Sequence, residues 1–188
     1  MKNVNINFKK IVNENKAFQK QAERNVKEKY LETKNNFLNS FDAHPVTREI
    51  ASGPTTTNTS RTLNGVGNLF SFIGFNRGEN PISELRKNIN EKFLFRKRKV
   101  GNKVEFVINF PTLEKLKRDT PMPWESGKSW VSGIERGISG FGNYMYKRFT
   151  EGRSGQALQT EKRIRGSTYK PTRYITQMVE KFIKDIKS

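Results

Sequence analysis

From about Glu14 to Asp42 the apolar residues Phe18, Ala22, Val26, Tyr30, Phe37 and Phe41 recur four or seven apart, with mostly Lys, Asn, Gln and Glu between them. No Gly or Pro interrupts the stretch, so the spacing predicts a long helix with one narrow apolar seam. At 1.5 Å per residue, a helix of about 28 residues is roughly 42 Å long. One stripe is all it can bury, so it lies across a sheet or along a neighbouring subunit. His44-Pro45 ends it, because the residue before proline disfavours helical backbone. Residues 51–68, ASGPTTTNTSRTLNGVGN, then show no apolar period. A loop of that length is usually functional or disordered. The apolar patch Leu69, Phe70, Phe72, Ile73 and Phe75 follows at once. Such a patch either folds back on the core or docks on a partner. Loop and patch together predict an assembly arm, with a lid over a pocket as the alternative. The five patch residues, with Phe18 and Tyr30 of the helix, are the candidate subunit interface.

Asn80-Pro81 opens a short helix, with Asn as N-cap and Pro at the first position, and Ile82, Leu85 and Ile89 on its buried side. Two strands follow, EKFLFRKRKV and KVEFVINF, joined by Gly101-Asn102, a two-residue hairpin signal. Setting Val100 opposite Lys103 places Phe95 opposite Ile108 and Phe93 opposite Phe110 on an apolar face. Arg98 then meets Glu105 on the other face. A short helix is expected around Leu113 to Lys117, and Thr120-Pro121-Met122-Pro123-Trp124 reads as a stiff connector. Between Ser129 and Phe149, glycines 133, 137, 140 and 142 favour bent or bulged strands over a helix. Ile175, Met178, Val179, Phe182, Ile183 and Ile186 define a final amphipathic helix. The expected fold is α+β: a long N-terminal helix and a C-terminal amphipathic helix packed on a small, mainly antiparallel sheet, with a long extended loop. It divides into a helical arm (1–43), a Gly/Thr-rich assembly loop with its apolar patch (44–79) and an α+β core (80–188).

Composition qualifies this picture. Hydrophobic residues make up 33% of 188, so the core is small for the length. Fourteen Phe, five Tyr and two Trp are nevertheless too many for a disordered polymer. Thirty-six basic against eighteen acidic side chains give a formal charge of +18, spread along the whole chain. A surplus of that size is relieved by an anionic neighbour. Two basic clusters stand out as DNA-proximal candidates: Arg96, Lys97, Arg98, Lys99 and Lys103 on the hairpin, and Lys162, Arg163 and Arg165 before the last helix. Contacts of such groups with phosphates carry no sequence information. No helix-turn-helix signature, zinc finger or RNP aromatic pair accompanies them.

Catalytic sets are hard to build from these residues. With no cysteine there is no disulfide, thiolate metal site or thiol nucleophile. The one histidine, His44, sits at a helix exit without a nucleophile elbow and reads as a turn or capping residue. Only Asp119 and Asp185 follow position 42 among aspartates, and the scattered glutamates read as solvated ion pairs. Gly127-Lys128-Ser129 ends like a phosphate-binding loop, but Met122 occupies the position that needs Gly. Gly65-Val66-Gly67 and Gly140-Phe141-Gly142 lack the third glycine of a dinucleotide fingerprint. Neither an enzyme nor a cofactor is expected. No apolar run approaches the roughly 18 residues of a membrane span, and the N-terminus lacks a signal-peptide pattern.

The stretches HPVTREIASGP with NLFSFIGF, TPMPWESGKSW running into SGIERGISGFGNY, and RSGQALQ followed by RYITQMVEKF resemble the tail-completion or neck (head-tail connector) proteins of tailed bacteriophages. The resemblance is one of pattern and spans most of residues 44–184. It implies a small α+β protomer, made in the bacterial host cytoplasm, that assembles into a ring in the neck of the virion. That ring, of six-fold or twelve-fold symmetry, would sit between portal and tail tube, touch neighbouring connector and tail proteins, and surround double-stranded DNA without reading its sequence. The family supplies no catalytic residues to transfer. Two other readings stay open: a non-specific nucleic-acid-binding protein, and another virion component such as a minor tail or baseplate protein.

Overall fold

A computed structural model describes residues 10–12, 16–65, 67–101, 103–123, 125–137 and 171–188. The fold is α+β, with long N-terminal and C-terminal helices packed about a small antiparallel sheet. Strand β1 (Lys10–Val12) is followed by helix α1 (Lys16–Ala43), α2 (Pro45–Ala51), a 3-10 turn (Gly53–Thr55), α3 (Leu69–Ile73) and α4 (Pro81–Lys92). The hairpin β2 (Leu94–Val100) and β3 (Lys103–Asn109) comes next, then α5 (Leu113–Arg118), β4 (Pro121–Met122), β5 (Glu125–Ser129), α6 (Trp130–Arg136) and α7 (Ile175–Lys187). The main sheet has the order β1-β3-β2 and is antiparallel throughout; β4 and β5 form a second small pair.

The seam of α1 is buried from Ala22 to Phe41, and Phe18 at its start stands 63% exposed. Aromatic contacts show what the seam rests on. Tyr30 lies against Phe95 of β2 (5.6 Å between centroids), Phe37 against Phe93 (5.5 Å), and Phe41 stacks on Tyr174 (6.1 Å). Phe182 of α7 meets Phe37, Phe93 and Phe110 together, which fastens the last helix to both α1 and the hairpin. The hairpin has the register that its turn and alternation predict: Val100 opposite Lys103, Arg98 opposite Glu105 and Phe95 opposite Ile108. Gly101 adopts φ +60°, the conformation that a glycine reaches without steric cost.

Two expectations need correction. The segment from 129 begins not as a bent strand but as α6. Ser129 caps it by accepting from Ser132 N, and Gly137, at φ +79°, ends it. Capping outweighs the cost of the single internal Gly133. Residues 138–149 of that expectation lie outside the described residues.

The loop and patch are also folded in, not held out. Asn68 caps α3 through Ser71 N, and Gly74 closes it in the left-handed region with its N–H on Phe70 O and Ser71 O. Leu69, Phe70, Ile73 and Phe75 are buried in the common core, and Phe75 meets Trp130 edge-on at 5.9 Å. Phe72 is half-buried against the same core. The polar stretch before them is closed around one carboxylate. Glu49 is 1% exposed and accepts from Asn58 Nδ2 at 2.8 Å, Ser60 N at 2.7 Å and Leu69 N at 2.7 Å. Asn58 in turn accepts from Leu63 N and Gly65 N through Oδ1. A loop with no apolar period is thus organised by side-chain acceptors that satisfy its backbone donors.

Candidate nucleic-acid interface

The hairpin places its basic run on two faces, because successive strand side chains point to opposite sides. Phe95 and Lys97 face α1, where Lys97 pairs with Glu23, and Lys99 follows on that side by alternation. Arg96 and Arg98 occupy the opposite, open face with Leu94 and Val100. Arg98 donates to Glu105 at 2.7 Å. Two of the four cations are therefore matched within the protein, and the unmatched pair, Arg96 and Lys99, is divided between the faces. Neither Arg96 nor Lys99 has an acidic partner among the described residues. Cations adjacent in sequence do not make one phosphate-binding patch here. For Lys103 only the backbone in β3 is described, and Lys162, Arg163 and Arg165 lie outside the described residues.

The candidate interface residues separate just as clearly. Leu69, Phe70, Ile73 and Phe75 are unavailable to a partner without opening the core, and Tyr30 is buried beneath the sheet. Burial pushes the Tyr30 phenol above its ordinary pKa. Phe18 alone of the seven is open to solvent, beside the exposed Lys20 and Arg24 on the first turns of α1. The contacts Tyr30–Phe95 and Glu23–Lys97 show α1 descending towards the hairpin tip, so this basic start of the helix and the tip share one end of the molecule.

At the other end, α1 and α7 frame a groove of about 220 Å³ whose lining includes Ser40, His44, Tyr174, Gln177, Lys181 and Asp185. His44 does cap a helix: its Nδ1 accepts from Val46 N at 3.2 Å, and its ring lies 4.8 Å from that of Tyr174. Burial holds the imidazole below its ordinary pKa. Tyr174 is fully buried, shares a 2.6 Å hydrogen bond with Thr47, and has a pKa raised chiefly by desolvation.

The carboxylates that the sequence suggests are solvated ion pairs are in two cases structural anchors. Glu49 pairs with no cation among the described residues and holds the loop. Glu135 pairs with Lys117 at 3.3 Å but also accepts from Thr176 N and Oγ1, so it ties α6 to the first turn of α7. A signal for Glu49 was present in the sequence: on α2 it shares a face with Val46 and Ile50, both buried. Among the described residues no group of three or more His, Asp or Glu is placed to hold a metal ion, and no helix is long and apolar enough to cross a membrane. Compared with known proteins, the chain matches no family model, and no curated protein or solved structure is significantly similar to it.

Proposed function

We propose that the chain is a non-catalytic structural protein of a tailed-phage virion, a neck or tail-completion ring subunit that joins head to tail around the DNA channel. The observation that carries this reading is the charge. The chain carries a surplus of +18, and several carboxylates of the described frame already have partners within the protein. Glu49 and Glu135 hold backbone, and Asp42, Glu23, Glu105 and Asp119 pair with Arg86, Lys97, Arg98 and Lys92. Basic side chains outnumber acidic ones by 36 to 18, and a protein beside packaged DNA tolerates that surplus. The pattern resemblance of residues 44–184 to neck proteins adds the ring and its place in the virion.

A second reading, a free-standing non-specific nucleic-acid-binding protein, is favoured by one observation. The apolar patch after the loop closes on its own core, so the protomer does not need a neighbour to cover it. Both readings predict binding to duplex DNA without sequence preference. Affinity should fall steeply between about 50 mM and about 200 mM salt, as counterion release requires. Two unrelated duplexes titrated across that range should give the same salt slope. A preferred sequence that survives physiological salt would overturn the ring proposal, because a channel wall has no reason to read bases.

A further inference from the structure

Among the described residues the main sheet ends at β2, whose outer edge has no strand against it, and Arg96 to Val100 are exposed without interruption. An uncovered edge presents a row of backbone donors and acceptors, and proteins commonly protect such edges with charge. Protection explains Arg96 and Arg98 but not their company. Leu94 and Val100, 40% and 46% exposed, bracket the two arginines on the same open face. That face therefore reads apolar, cationic, cationic, apolar along seven residues, about 23 Å of strand.

We infer that β2 is a docking edge for an extended acidic segment of a partner protein, added as a further strand with two carboxylates opposite Arg96 and Arg98 and apolar side chains opposite Leu94 and Val100. Backbone hydrogen bonds supply affinity in such additions, and alternate side chains supply choice of partner. A second copy of this chain is a poor occupant. Antiparallel pairing of β2 with itself about Lys97 sets Arg96 against Arg98 of the other copy and Lys97 against Lys97, and like charges directly opposite are destabilising. Nucleic acid matches the charge but leaves Leu94, Val100 and the backbone edge unused. The inference goes beyond the ring proposal and stands without it.

The test uses the full chain and a labelled synthetic peptide with two aspartates bracketed by two valines at alternate positions, followed by fluorescence anisotropy. Saturable binding is expected. Methylating the peptide's backbone nitrogens on its pairing side should weaken binding by about tenfold or more, because charge is kept and the strand bonds are lost. Arg96→Glu, at an exposed position without an acidic partner among the described residues, should weaken it comparably and favour a peptide with lysine in place of the one aspartate opposite position 96. Methylated and unmethylated peptides binding alike would reduce the contact to charge attraction and overturn the inference. An oligonucleotide of equal charge displacing the peptide at lower concentration than the peptide's own unlabelled form would also overturn it, in favour of nucleic acid. So would a dimer of the free protein that Arg96→Glu alters, in favour of a second copy.

Discussion

Glu49 shows how a single side chain decides the conformation of a long polar segment. Both its oxygens accept, and the donors come from Asn58, Ser60 and Leu69, residues up to twenty positions away in sequence. Glu49→Gln replaces one acceptor with a donor that faces existing donors. Because the site is buried, the variant should lose about 2–3 kcal/mol, measured by urea unfolding; a change under about 0.5 kcal/mol would mean that the loop is held by something else. His44 gives a pH dependence whose sign follows from its environment. Its pKa in the folded protein lies below the ordinary value because burial disfavours the imidazolium. As pH falls, the unfolded chain binds this proton first. The His44 contribution is thus complete above about pH 6.5 and is lost as pH falls through that value towards the folded-state pKa. His44→Asn keeps a capping acceptor for Val46 N and removes the titration, so its urea midpoint should vary less than the parent's between about pH 7.5 and about pH 5.5. Equal slopes for the two proteins would count against the assignment. At this scale the Arg98–Glu105 pair was legible, since register alone places the two opposite each other. Glu49 was legible only through the face it shares with Val46 and Ile50, because periodicity identifies buried faces by their apolar members and passes over a buried acid among them.

Elements were legible wherever local chemistry and period agreed. The length of α1, the Asn80-Pro81 start of α4, the hairpin with its register, and α7 all follow from the residue pattern. Strand β1 was not, because three residues carry no period of their own and pair only through β3. Helix α6 was hidden by its glycines, and only the caps at Ser129 and Gly137 mark its limits. The patch at Leu69 to Phe75 is the larger lesson. Its apolar content was plain, but sequence could not say whether this chain or another covers it. In the structure α2 and Trp130 share that task. Deleting residues 51–75 should therefore abolish cooperative unfolding in circular dichroism, not leave an intact domain that merely fails to assemble. A deletion protein that still melts in one sharp transition would restore the patch to the role of an assembly arm.

For the whole molecule, the described residues cover most of their apolar surface, so assembly draws on the basic exterior and on the few apolar side chains left open, Phe18, Leu31, Leu94 and Val100. The exposed Phe18 with Lys20 and Arg24 marks one end, and the open edge of β2 lies towards the same end. Such contacts depend on charge and geometry more than on apolar area, and they should tighten when anions or neighbours neutralise the surplus. The ring proposal is tested most directly by the mass of the full-length protein in light scattering, measured over a range of concentrations with and without duplex DNA and paired with negative-stain images. The account predicts a closed ring, or an oligomer that grows with concentration towards one fixed mass. A monomer at every concentration, unchanged by DNA, would contradict it.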